Sequence, residues 1–355
     1  MNLLKKLYSI SAHSGSEDAM VSFLIGFCEE HSLEYIKDES NNLFITKGES
    51  ESGTYPCLAA HTDEVHVTKL GIEIIESEEY IFGFNRLTKS YMGIGGDDKN
   101  GIWVALKCLL KYDILKVALF TGEEVGCKGS HACDISFFNN CRFVLQCDRR
   151  GNSDFINKIG VSDLCSEEFI TDCNLTDFGY TKTVGMMTDV QTLKQRGVNV
   201  SCANMSCGYY NPHTATELTV KKDLINCLNF VQSIIENCTK VYEHKYVEPT
   251  YVNYGNLYNG NGRYVGYKAG GYSGYNGYKS TTTPKIYLKT QEDLVWEFIV
   301  DNWETIAEYQ VKDVIIKSLS DKAAEFVSSK MFSVNSAYIK QMFINTVNQF
   351  FSYGK

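Results

Sequence analysis

An α/β fold, with a mixed, mostly parallel sheet sandwiched by helices, is what the sequence predicts, on three observations. Short apolar runs at residues 42–46, 57–60, 115–121 and 142–147 are bounded by turn-forming residues, which suits buried strands. Three of these runs deliver acidic or imidazole side chains at their ends: His61 and Asp63, Glu123 and Glu124, and Asp148. Segments with helical spacing of apolar residues lie between and after them. Strands that alternate with helices in this way present their C-terminal ends along one edge of a sheet.

Bulk properties narrow the class. The chain has 355 residues, is 44% hydrophobic and carries a net charge of −9, so it can fill a core and lacks the basic excess that phosphate binding wants. Nucleic acid is therefore not an expected partner. No run approaches the roughly 18 apolar residues of a membrane span, and residues 1–10 lack the apolar core of a signal peptide. The 13 cysteines are odd in number and contain no Cys-x-x-Cys, which points to free buried thiols and a cytoplasmic location.

Residues 1–35 read as two helices around a turn at 13–16, with Ser16 as a capping hydroxyl and Met20, Phe23, Leu24 and Phe27 at helical spacing. His13 and His31 fit surface or helix-end positions. His61 and Asp63 stand at i and i+2, so in an extended segment both side chains point the same way; a polar loop after a strand is the plain alternative. Residues 65–92 suit hairpins. Gly93-Ile-Gly-Gly-Asp97-Asp98-Lys-Asn-Gly101 then opens a helix over 102–110. Capping and first-turn acidity account for one of the two aspartates. They leave the second unexplained, along with glycines that suit a tight backbone turn.

Glu123 and Glu124, among glycines at a strand end, are costly if buried without a cation. Residues 198–202 continue the sheet, and 222–239 form a closing helix with Leu224, Leu228, Val231 and Ile235 on one face. Composition then changes: residues 246–283 hold nine tyrosines and eight glycines without hydrophobic periodicity, the mark of a linker. The expected organisation is a catalytic domain over 1–243, a Tyr/Gly/Asn-rich linker over 244–284 and a small helical unit over 285–355. That last unit could serve homo-oligomerisation.

Oxygen and nitrogen donors gathered at strand ends are what a divalent metal site needs. In order they are His61-x-Asp63, Asp97, Glu123-Glu124, Asp148 and His213. This order, together with Ala-His-Thr-Asp-Glu, Gly-Gly-Asp-Asp-Lys-Asn-Gly, Thr-Gly-Glu-Glu-Val-Gly-Cys-Lys-Gly and Pro-His-Thr-Ala-Thr-Glu, resembles the di-zinc exopeptidases of the M20, M28 and M42 peptidase families over roughly residues 1–240.

The resemblance implies two Zn²⁺ ions, with cobalt or manganese as substitutes, and a peptide substrate. Asp97 would bridge the metals, with a cis Asp97–Asp98 peptide bond. His61 and Asp148 would hold one ion, Glu124 and His213 the other. Asp63 would accept a hydrogen bond from the His61 ring, and Glu123 would be the general base toward a metal-activated water. Asp189 would lie near the substrate. His66 and His131 receive no role and fit polar surface or support of the ligands.

Spacing refines this. The 64 residues between Asp148 and His213 leave no room for the domain usual in M20 enzymes, and the 35 between His61 and Asp97 none for the insert usual in M42 enzymes. A compact, M28-like unit follows, and with it removal of N-terminal residues. A carboxypeptidase or N-deacylase on the same centre is the alternative within enzymes; a non-catalytic peptide-binding scaffold is the alternative outside them.

Overall fold

The structure is a computed structural model that describes residues 1–67 and 69–247. Most of the expected linker and all of the expected helical unit lie outside the described residues.

Within them, nine strands form a mixed sheet. At its centre Leu115–Phe120, Tyr55–His61, Cys141–Arg149 and Cys202–Ser206 lie side by side and parallel. Leu43–Lys47 and Glu34–Lys37 extend one side antiparallel, and Asp154–Ile159, with Ser162–Asp163 and Thr181–Gly185 beside it, extends the other. The α/β class with a mostly parallel central sheet is thus borne out.

Apolar runs without polar alternation are explained by burial on both faces. In Leu115–Phe120, Leu115, Val117 and Leu119 enter one core while Ala118 and Phe120 enter another. The larger core lies against the helices Asn2–Ser9, Asp18–Glu30, Gly96–Lys111 and Lys221–Asn237, which contribute Leu7, Leu24, Leu106 and Val231. The smaller core packs under Val190 and Leu193 of the helix Asp189–Gln195. All 13 cysteines are free and buried, as expected.

A second, five-stranded sheet combines Ile72–Glu76, Tyr80–Asn85 and Ser90–Met92 with Tyr209–Tyr210 and Leu218–Val220. Hairpins over 65–92 are as expected; their pairing with Leu218–Val220 is new. Two local expectations are corrected. Ser16 makes no cap, because the helix starts later and the position before it, Glu17, also gives no capping side chain. The strand expected at 198–202 begins instead at Cys202; before it Val200 makes only an isolated bridge to Glu243, and the Lys194 ammonium takes the carbonyls of Val198 and Val200 at 2.8 Å each.

The compact unit continues beyond residue 243. The amide of His244 donates to the Asn199 carbonyl (2.9 Å), and the Ser162 hydroxyl to that of Val247 (3.0 Å). No helix among the described residues is long and apolar enough to cross a membrane.

Candidate metal centre

Three of the four central parallel strands end close together, and this gathers most of the site. His61 closes Tyr55–His61, Asp148 stands one residue before the end of Cys141–Arg149, and Glu123 and Glu124 lie three and four residues after Leu115–Phe120. Asp97 enters from the turn before the long helix. His213 enters from the loop of the small sheet between Tyr209–Tyr210 and Leu218–Val220.

Asp97 divides its two oxygens between the imidazoles. Oδ1 is 3.1 Å from His61 Nε2 and Oδ2 is 3.3 Å from His213 Nε2. Asp148 Oδ1 lies 3.6 Å from the same nitrogen of His61, and Glu124 Oε1 lies 2.9 Å from that of His213. The Asp97–Asp98 peptide is cis, as expected. Asp97 therefore lies between the His61–Asp148 pair and the Glu124–His213 pair. His213 is the open side of the cluster, its side chain 48% exposed against 12% for Asp97 and 8% for Glu124.

These positions fit a metal. Tetrahedral donors at about 2.0–2.2 Å from an ion stand roughly 3.3–3.6 Å apart, close to the separations found. Glu124 Oε1 is buried and has no hydrogen bond of good geometry, despite the nearby His213 ring. Donor atoms of His61, Asp97 and Glu124 come close enough together to hold one ion, as do those of His61, Asp98 and Asp148. Asp98 already serves elsewhere. Buried, it accepts the amides of Gly101 at 2.9 Å and His61 at 3.2 Å, which leaves Asp97 as the freer of the pair.

The electrostatics show an acid cluster short of cations. The Asp97 and Glu124 carboxylates beside it push the His213 imidazole up to about 10. Burial opposes charge on His61, yet Asp148, Asp63 and Asp97 hold its pKa well above the usual value. Burial, then repulsion from Asp97, drives Asp148 well above the carboxylate range. Burial also pushes Glu123 up to about 8, with Asp189, Glu124 and Asp97 adding to it against His61. A divalent ion at this cluster would offset the charge that burial and mutual repulsion penalise.

Surrounding groups hold the donors in place. The His61 ring Nδ1 donates to the backbone carbonyl of Asp63 at 3.0 Å, while the Asp63 carboxylate stands at 3.3 Å. The expected bond from ring to carboxylate is thus made chiefly by the main chain. The carboxylate instead accepts the Glu123 amide (2.9 Å), the Glu124 amide (3.2 Å) and the Ser14 hydroxyl (2.7 Å). Asn42 secures the same loop, accepting the Thr121 amide and donating to the Gly129 carbonyl, both at 3.0 Å. Among the described residues the Glu123 carboxylate accepts only a weak 3.7 Å contact from the Cys127 thiol, so it is free to take a proton.

Asp189, expected beside the substrate, is instead fully buried, its oxygens accepting from Ser130 (2.6 Å) and Gln146 (3.2 Å). It has no surface for a substrate to touch. His131 is exposed, as expected. His66 Nε2 meets Glu217 Oε2 at 2.9 Å.

Glu217 is the main residue that the sequence reading passed over. Buried, it accepts the amides of Gly95 (2.7 Å) and Asp97 (3.2 Å), so it holds the turn that presents Asp97. The signal was its place at the end of Pro-His-Thr-Ala-Thr-Glu. Gly95 itself has φ +66°, and a Cβ there would collide with the Glu64 carboxylate. Asp148 is likewise framed by residues without a local signal: Asn204 accepts its amide (2.9 Å) and donates to its carbonyl (2.7 Å), and Tyr209 donates to Oδ1 (3.2 Å).

No protein-family model matches the chain, and no curated protein matches it. Solved structures do. Aminopeptidase PepT from Bacillus cereus aligns with a TM-score of 0.54 at 14% identity, covering 67% of this chain and 98% of that one. A tripeptidase from Staphylococcus aureus gives 0.54 at 15%, covering 67% and 97%. Aminopeptidase APDkam598 from the archaeon Desulfurococcus kamchatkensis gives 0.53 at 16%, covering 66% and 94%. At these identities the likeness establishes the fold: this chain is built like those peptidases, and the resemblance read from its motifs is borne out at that level.

Proposed function

We propose that the protein is a two-metal exopeptidase that removes N-terminal residues from peptides. The observation that carries this is the disposition of Asp97, one oxygen 3.1 Å from His61 Nε2 and the other 3.3 Å from His213 Nε2. Residues His61, Asp97 and Asp148 would hold one zinc, and Asp97, Glu124 and His213 the other. When bound, such a pair supplies Lewis acidity, bringing the pKa of water near 7 and polarising a peptide carbonyl.

The chain's own residues do the rest. Glu123, half-buried and nearly without hydrogen-bond partners, takes the proton of the attacking water and returns it to the leaving amine. Asp63 fixes the backbone of Glu123 and Glu124 and, through its carbonyl, the ring of His61. Support for the peptide as substrate comes from the shared fold of PepT, the tripeptidase and APDkam598.

Metal analysis of the full chain tests the reading. Two equivalents of zinc are expected, with at least one lost in His213→Ala and both retained in Glu123→Ala. A chain that binds no divalent metal would be a scaffold on this fold.

A further inference from the structure

We infer that Glu64 is a positioning residue for the metal centre. With Lys69 and Lys99 it forms a buried charged cluster that locks the turn carrying Asp97 to the segment that holds Asp63. This rests on the two-metal reading and adds to it a residue that acts through others.

The cluster joins two stretches that carry site residues. Glu64 directly follows Asp63, and Lys99 comes two residues after Asp97. Glu64 Oε1 lies 2.8 Å from the Lys99 ammonium, and Oε2 lies 2.7 Å from that of Lys69. The side chains of Lys69, Glu64 and Lys99 are 3%, 0% and 1% exposed, so water does not share in these contacts. Burial raises the pKa of Glu64, but the ammonium groups of Lys99 and Lys69 outweigh it and hold the carboxylate low.

Each ammonium also grips main chain. Lys69 donates to the carbonyl of Tyr8 at 3.0 Å and to that of Ile94, in the glycine-rich turn before Asp97. Lys99 donates to the carbonyl of Ile10 at 2.6 Å. The Ala12 amide donates to Glu64 Oε1 (3.0 Å), and the Ala12 carbonyl accepts the Glu64 amide (2.8 Å). Ser14 then donates its amide to the Glu64 carbonyl (3.2 Å) and its hydroxyl to the Asp63 carboxylate (2.7 Å). Residues 8–14 are thus laced to both stretches.

The turn has no slack on this side. A Cβ at Gly95 would stand 2.1 Å from Glu64 Oε2. From the other side Glu217 accepts the amides of Gly95 and Asp97. Asp97 is presented by a turn held between two buried carboxylates.

Stability alone does not ask for such a cluster. Taking three charges out of water is costly, and apolar side chains of similar volume serve a fold as well or better. A satisfied polar network instead fixes one geometry. Here it fixes where the Asp97 turn stands relative to Asp63, which in turn holds the Glu123 and Glu124 amides.

The test replaces the cluster in the full-length protein by apolar side chains, Glu64→Leu with Lys69→Met and Lys99→Met. Urea unfolding, zinc affinity by competition with a chromophoric chelator, and kcat and KM on Leu-Gly-Gly are measured. The triple variant is expected to unfold at or above the wild-type urea midpoint. Its zinc affinity and kcat are expected to fall about 10- to 100-fold, with KM nearly unchanged. A folded triple variant with wild-type zinc affinity overturns the inference, whatever its urea midpoint, and leaves the cluster a purely structural one. Lys69→Met alone, which keeps the Glu64–Lys99 pair, is read in the same way and decides the matter if the triple variant does not fold. Weaker zinc binding in the variants of a wild type that cleaves no peptide would uphold the positioning role and reject the peptidase reading. Cleavage by a wild type whose variants bind zinc unchanged would do the reverse.

Discussion

The carboxylate of Asp63 accepts the backbone N–H of Glu123 at 2.9 Å, which links the end of one central strand to the loop after its neighbour. Burial raises the pKa of this acid, but its contacts with His61, Ser14 and the Glu123 amide outweigh that and hold it low. One charged side chain thus governs both a candidate ligand and the candidate base. Asp63→Ala is expected to lower metal affinity and turnover by about 10- to 100-fold. Metal titration and kcat would show it; a variant with unchanged affinity and rate would place the loop under other control.

Glu123 and His213 separate chemistry from metal binding. Glu123→Ala should retain metal and lose turnover by about 10²–10⁴-fold, with little change in KM. His213→Ala should lose both metal and turnover. Side-by-side metal analysis and kinetics distinguish them, and a Glu123→Ala protein at wild-type rate would remove this residue from the reaction.

Glu217 predicts a stability effect. Glu217→Ala leaves the buried amides of Gly95 and Asp97 without their acceptor, at a cost of about 1–3 kcal/mol for each unsatisfied group. Glu217→Gln keeps one acceptor oxygen and should recover part of it. Urea unfolding of the three proteins reads this directly; equal midpoints would mean that water serves these amides as well.

His244 predicts a pH dependence. Burial, with Lys194 nearby, holds its imidazole down at about 4, and its Nδ1 is buried without a partner. The unfolded chain takes up this proton below its ordinary value of about 6.5, whereas the folded chain takes it up only below about 4. Between these values the unfolded state binds more protons. The contribution is therefore fully present above about pH 6.5 and is lost as pH falls toward 4. His244→Gln should flatten the fall in the urea midpoint between pH 7 and 4.5. A slope identical to wild type would show that acid sensitivity arises from other groups.

What was legible in the chain were residues whose signal is local. His61, Glu124 and Asp148 each stand in a short polar motif at or just after the end of an apolar run, and a sheet with parallel neighbours brings such ends together; Asp97 and His213 stand in polar motifs of their own, on a turn and a loop outside those strands. What was not legible depends on partners far away in sequence. Glu217 reads as a loop acid until the Gly95 and Asp97 amides are seen to point at it. Leu218–Val220 has little strand signal until it pairs with Tyr80–Asn85. Val198 and Val200 do look like a strand, but Val200 makes only an isolated bridge to Glu243, and the carbonyls of both meet the Lys194 ammonium. Asp189 is placed near the substrate by resemblance alone, and its full burial against Ser130 and Gln146 depends on partners distant in sequence.

The most direct measurement is hydrolysis of one short peptide, in free and N-acetylated forms, by the full chain supplied with zinc and followed by mass spectrometry. Stepwise loss of single residues from the free N-terminus, with the acetylated peptide left intact, is the result this account predicts. Trimming of the blocked peptide from its other end, release of the acetyl group, or no cleavage of either form by a zinc-loaded protein would contradict it.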